Sequence, residues 1–239
     1  MSRLQSQRGF TLVEIAIVLV IIGLLLGGIL KGQELITSAR VRNIADQNSG
    51  IQAAYYGFID RYRQVPGDWP KDAAAQAIPG VTSGGNGNGR LDKSSTEWEE
   101  PLALWEQLAK AGFIQGSYTG GTATPSSADT DKAPRNAFNG LMVLYRTTDY
   151  LPGPDESTPP AERLNLVLGK GIPVNVMREL DVKVDDGLPG TGVLRQAATS
   201  SAALGDAGMS STTCVDSSKT PPIWDIAANE QLCNAVYLY

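Results

Sequence analysis

Phe10-Thr11-Leu12-Val13-Glu14 opens a run, FTLVEIAIVLVIIGLLLGGIL, that extends to Leu30 and holds a single ionisable side chain, Glu14. A helix rises about 1.5 Å per residue, so about 20 apolar residues match the hydrocarbon thickness of a bilayer. Ahead of the run lies a short polar segment, Met1 to Gly9, with Arg3 and Arg8 and no acid. Three readings fit: a cleaved secretory signal, an uncleaved signal anchor, or a leader cut just ahead of a membrane helix. Glu14 separates them. A carboxylate inside an apolar span costs on the order of 2.5–3.5 kcal/mol even on insertion scales, so it ordinarily has a partner and a role. The plain alternative is a side chain shallow enough to snorkel to the surface.

A secretory signal finds some support in Thr37-Ser38-Ala39, whose small residues suit signal peptidase. That site lies well past the apolar run and leaves Glu14 unexplained. Charge does not settle orientation, because Arg3 and Arg8 on one side face Lys31, Arg40 and Arg42 on the other. Beyond Leu30 the pattern turns amphipathic: Ile44, Ile51, Tyr55, Phe58 and Tyr62 form one helical stripe. Pro66-Gly67 is the expected stop. A continuous helix from Phe10 to about Arg63 would be on the order of 80 Å long. Gly23, Gly27, Gly28 and Gly32 could soften it, but no proline interrupts it.

Composition narrows the function classes. The 239 residues carry a formal net charge of −5, which gives no basic footprint for nucleic acid. There is no histidine, which removes the commonest general base, His-containing triads and His-ligated zinc. An enzyme of this composition would rely on paired carboxylates. The 26 Gly and 14 Pro point to a loop-rich folded body rather than to disorder.

The string Arg8-Gly9-Phe10-Thr11-Leu12-Val13-Glu14 and the apolar run behind it resemble the class III N-terminal cleavage and methylation motif of type IV pilins and type II secretion pseudopilins. The resemblance implies that a membrane-embedded prepilin peptidase cuts after Gly9. It implies that Phe10 becomes the N-methylated N-terminus and that Glu14 serves assembly. It implies a leader at 1–9, a transmembrane and filament-core helix at 10–32, the amphipathic second half of the stem helix at 33–63, and an extracytoplasmic head at 64–239. The partners implied are prepilin peptidase, other pilin or pseudopilin subunits and an inner-membrane assembly platform. The protein is then expected in the inner membrane before assembly and in a filament afterwards, with its head outside the cytoplasm. An exported head suits a disulfide between Cys214 and Cys233, as in the C-terminal loops of many pilins; the alternative is a pair of buried thiols.

The expected fold is α+β, a long helix followed by a head with an antiparallel sheet and short helices. In the head, Pro101 to Gly112 and Pro173 to Asp186 read as helices ended by Gly112 and Gly187. Leu141 to Arg146, Leu164 to Leu168 and Ala235 to Tyr239 read as strands, and residues 115–135 as a flexible loop. Two acidic loops are candidate calcium sites. Asn86, Asn88 and Asp92 overlap an EF-hand-like spacing, but Gly84 and Ser95 stand where two carboxylates belong, so a Gly/Asn turn is the first reading. Asp185 and Asp186, in Asp185-Asp186-Gly187-Leu188-Pro189-Gly190-Thr191-Gly192, either cap a turn or bind calcium. The functional expectation is a structural filament subunit, and the long head points to a minor one. The alternative is a membrane-anchored extracytoplasmic enzyme or binding module, for which Asp181, Asp185 and Asp186 are the candidate carboxylates.

Overall fold

The computed structural model describes residues 12–93, 97–126, 128–199, 208 and 210–239. The chain divides between Arg40 and Val41 into two units. Helix α1 spans Leu12–Tyr62, and none of its glycines breaks it. In the first unit every described residue from 12 to 31 is exposed and none up to 40 is buried.

In the second unit α1 contributes Val41, Ile44, Ile51, Ala54, Tyr55 and Phe58 to the core, which is the expected stripe with two additions. Tyr62 packs against the same core half-buried. The helix stops before Pro66: Arg63 takes a left-handed conformation, with its amide donating to the Ile59 carbonyl at 2.8 Å. A backbone cap therefore ends α1 three residues ahead of the expected Pro-Gly stop.

Helix α2, Lys71–Ala77, is not among the elements expected from sequence. Its Ala-rich run has strong helix propensity. Helix α3 spans Glu99–Lys110, beginning two residues before the expected Pro101. The proline sits in the first turn, where its missing N–H costs nothing. Every residue from Glu100 to Leu108 is buried, so α3 is a core helix rather than a one-sided one. Helix α4 spans Val174–Val184, inside the expected 173–186.

Four strands form one antiparallel sheet in the order β1-β2-β6-β3: β1 Val143–Thr147, β2 Arg163–Val167, β3 Leu194–Gln196 and β6 Ala235–Leu238. Val143 lies opposite Val167, Leu166 opposite Tyr237, and Leu194 opposite Tyr237. Strand β6 is thus an interior strand, pairing with β2 on one edge and β3 on the other. A separate two-stranded ribbon joins β4, Val215–Asp216, to β5, Ile223–Trp224. A disulfide links Cys214, just before β4, to Cys233, two residues before β6. Among the described residues of 115–135, expected as a flexible loop, there is no helix or strand, yet they are tied down. The Thr119 amide donates to the Asp131 carbonyl at 2.8 Å, and Lys132 Nζ donates to the Gly120 carbonyl at 2.7 Å.

Candidate functional site

Glu14 lies in the first turn of α1, where a carboxylate complements the helix dipole. Gly9 and Phe10, the expected cleavage pair, lie outside the described residues. Along the first half of α1 the side chains are apolar and open: Leu12 is 91 % exposed and Leu24 74 %. Among the described residues, α1 is the one helix long and apolar enough to cross a membrane, and its most apolar window buries nothing within the protein. Such a surface is strongly unfavourable in water, since each large apolar side chain left exposed forfeits about 1.5–3 kcal/mol of burial. Its natural surround is lipid or the apolar surface of other helices.

Residues 4–30 match the family model described as the prokaryotic N-terminal methylation motif. The chain carries the class III signal of type IV pilin-like proteins. The match covers Gly9, Phe10, Glu14 and the apolar run to Leu30, and leaves the rest of the chain to be read from its own geometry. No curated protein and no solved structure matches the chain significantly. The motif and the apolar helix are consistent with a membrane-anchored protein, and the motif points to a structural pilin-like family rather than to an enzyme.

In the second unit, the two acidic loops are built in opposite ways. The first winds around Asp68, a buried carboxylate outside the candidate calcium set. The amides of Gly87 and Asn88 donate to Asp68 Oδ1 at 2.8 and 3.0 Å, and that of Gly89 to Oδ2 at 2.8 Å. Glu100 accepts from the amides of Asn86 and Asp92 at 3.3 and 2.8 Å. Burial raises the Glu100 carboxyl above its ordinary range, and those two amides oppose the shift. The oxygens expected for calcium are turned to other uses. Asn86 Oδ1 accepts from the Asn88 amide at 2.9 Å, Asn88 Oδ1 from the Arg90 amide at 2.8 Å, and Asp92 pairs with Arg90 at 3.5 Å. N–H groups, not oxygens, converge here, so the geometry is that of the Gly/Asn turn. Gly84 is required by close approach: a Cβ there would lie 2.3 Å from the Trp69 carbonyl oxygen.

The second loop, between α4 and β3, gathers carboxylates. One oxygen from each of Asp181, Asp185 and Asp186 lies within 4.8 Å of the others. Asp181, on the last turn of α4, is fully buried, and Trp224 Nε1 donates to its Oδ2 at 2.6 Å. Asp185 Oδ2 accepts from the amides of Val193 and Leu194, and Asp186 Oδ1 from that of Leu188 at 2.9 Å. Burial pushes the Asp181 carboxyl up to about 7; the Trp224 bond pulls it back, and the charges of Asp186 and Asp185 raise it further. Gly192, at φ 68°, folds the loop so tightly that a Cβ would fall 1.8 Å from Asp185 Oδ2. The sequence named all three aspartates, but the contact with Trp224 joins positions 43 apart and had no local signal.

Proposed function

We propose that this chain is a structural subunit of a type IV pilus-like or type II secretion pseudopilus filament. It is cut after Gly9 by prepilin peptidase, N-methylated at Phe10 and assembled through Glu14. The observation that carries this reading is the methylation motif set on a helix whose apolar residues from 12 to 30 stay exposed.

Cleavage at Gly9 would free an amine on Phe10 that is mostly cationic near neutral pH. In a low-dielectric surround that cation and the carboxylate of Glu14 on a neighbouring subunit attract far more strongly than in water. An unpaired buried Glu14 is costly, so docking favours the register that supplies its partner. Apolar side chains such as Leu24 and Ile29 slide easily past one another. The ion pair sets the stagger, and the apolar surface supplies cohesion. The size of the head, with its long loops, supports a minor subunit over a densely packed major one. Until assembly the apolar helix holds the subunit in the inner membrane, with the disulfide-linked head outside the cytoplasm.

N-terminal sequencing and mass spectrometry of the protein from its native host test the reading. The expected result is a chain beginning at N-methylated Phe10. An intact Met1, or a start after Ala39, overturns it.

A further inference from the structure

We propose that Asp68 protects the paired Asn86-Gly87 and Asn88-Gly89 bonds from deamidation, by holding the two glycine nitrogens that would carry out the reaction. In that reaction the nitrogen after the asparagine loses its proton and attacks the side-chain carbonyl carbon. A new C–N bond closes a cyclic imide, and the side-chain amide leaves as ammonia. Water then opens the ring to aspartate or isoaspartate. Asn-Gly is the pair most open to this chemistry, because glycine has no Cβ to hinder the approach. The chain has three such pairs, beginning at Asn86, Asn88 and Asn139.

The turn needs both members of each labile pair. Gly87 and Gly89 have φ of 76° and 83°, the left-handed backbone that favours glycine. Asn86 Oδ1 and Asn88 Oδ1 accept from the amides of Asn88 and Arg90 and so brace the loop. All four residues are exposed to the water that completes the reaction. Asp68, by contrast, is 3 % exposed. Its Oδ1 accepts the Gly87 amide at 2.8 Å and its Oδ2 the Gly89 amide at 2.8 Å, so one carboxylate engages both nucleophiles. The Gly87 amide is shared with the Asp68 carbonyl at 2.9 Å. An anion developing on either nitrogen would stand within hydrogen-bond distance of a carboxylate, and like charges so close make the proton harder to remove. The third pair is held without charge: Gly140 is buried, and its amide donates to Asn136 Oδ1 at 2.9 Å. Failure at the first pair would be costly. The Asn86 amide lies 3.3 Å from Glu100 Oε1, so a carboxylate made there adds a like charge to a loop that already holds Asp68 and Glu100.

The test incubates the full chain in detergent, disulfide intact, in warm and mildly alkaline buffer, beside the same protein in denaturant. Peptide mapping by mass spectrometry then scores each pair for aspartate and isoaspartate. Folded protein should convert at Asn86 and Asn88 at least about tenfold more slowly than unfolded protein, the change given by one pKa unit on the attacking amide. Asp68→Asn removes the charge and leaves a single side-chain oxygen to accept. Conversion at Asn86 and Asn88 should then accelerate by about tenfold. Asn139, whose glycine is held by Asn136, should keep its wild-type rate and so report that the fold is intact. Conversion at Asn86 and Asn88 as fast in folded wild type as in denaturant would overturn the proposal, whether or not the variant folds. Unchanged rates at both positions in folded Asp68→Asn would overturn it equally. An equal rise at Asn139 in that variant would do the same, by showing that Asp68 acts through the fold as a whole. None of these readings depends on whether the chain enters a filament.

Discussion

Tyr239 donates its phenolic O–H to Asn48 Oδ1 at 2.8 Å, tying the residue after β6 to α1 across 191 positions of sequence. The bond is half-buried and fixes where the sheet meets the second half of the helix. Removing one partner of such a bond costs about 1 kcal/mol. Tyr239→Phe and Asn48→Ala should each lower the stability of the detergent-solubilised protein by that amount in denaturant titration. The double variant should cost little more than either single one, because both delete the same interaction. Fully additive losses would show that the two residues act separately.

The disulfide acts on the same strand. Cys214–Cys233 closes a loop that includes the β4–β5 ribbon and ends beside β6. Because β6 lies between β2 and β3, anything that loosens it splits the sheet rather than fraying an edge. A crosslink over a loop of this size stabilises by roughly 3 kcal/mol in the chain-entropy model. The Cys214→Ser, Cys233→Ser double variant should melt lower and be cut by protease between the two positions. Thiol titration of unreduced protein from the native host should find no free cysteine. Val236→Pro, which removes an interior ladder donor, should be more damaging than either cysteine change.

How much of this could be read from sequence depends on the range of the signal. The apolar span, the stripe from Ile44 to Phe58 and the strands around Leu144 and Leu166 are periodic within a few residues, and the structure has them where the periodicity puts them. Helix α2 and strands β3, β4 and β5 are too short to show a period. The Asp68 cradle had a partial local cue in Pro66-Gly67-Asp68, but its donors come from a loop about twenty residues on. The Asp181–Trp224 bond is purely tertiary, so composition and spacing carry no trace of it.

A pH dependence follows from Arg195 and Glu156. Arg195 is buried on β3, and its Nη1 donates to Glu156 Oε2 at 2.5 Å. That bond, helped by the Gly153 amide and opposed by burial, holds the Glu156 carboxyl below its ordinary value of 4.5. A depressed carboxylate adds stability that is fully present above its unfolded pKa and is lost as pH falls through its folded one. Glu156→Gln should therefore destabilise by about 1–2 kcal/mol at pH 7, where an ionic hydrogen bond is replaced by a neutral one. The gap from wild type should close as the buffer is taken below pH 4.5 and on past the folded value. A gap that stays constant down to strongly acidic pH would mean that packing around Arg195, not charge, carries the effect.

The N-terminal segment gives the sharpest separation between anchoring and assembly. If the chain is cut after Gly9 as proposed, Gly9→Val places a branched side chain where the peptidase would take glycine, so it should leave unprocessed precursor, visible as slower migration on a gel. Glu14→Ala should behave differently. It removes a costly charge from the apolar span without shortening it, so processing and membrane retention should be unchanged. What it deletes, on the proposed filament reading, is the acceptor for the Phe10 amine of a neighbouring subunit. Filament incorporation, measured in sheared fractions against wild type, should then fall sharply. Glu14→Asp should recover part of it, because the charge is retained on a shorter reach. Wild-type incorporation of Glu14→Ala would sink the ion-pair register, leaving the apolar surface of α1 to carry assembly alone.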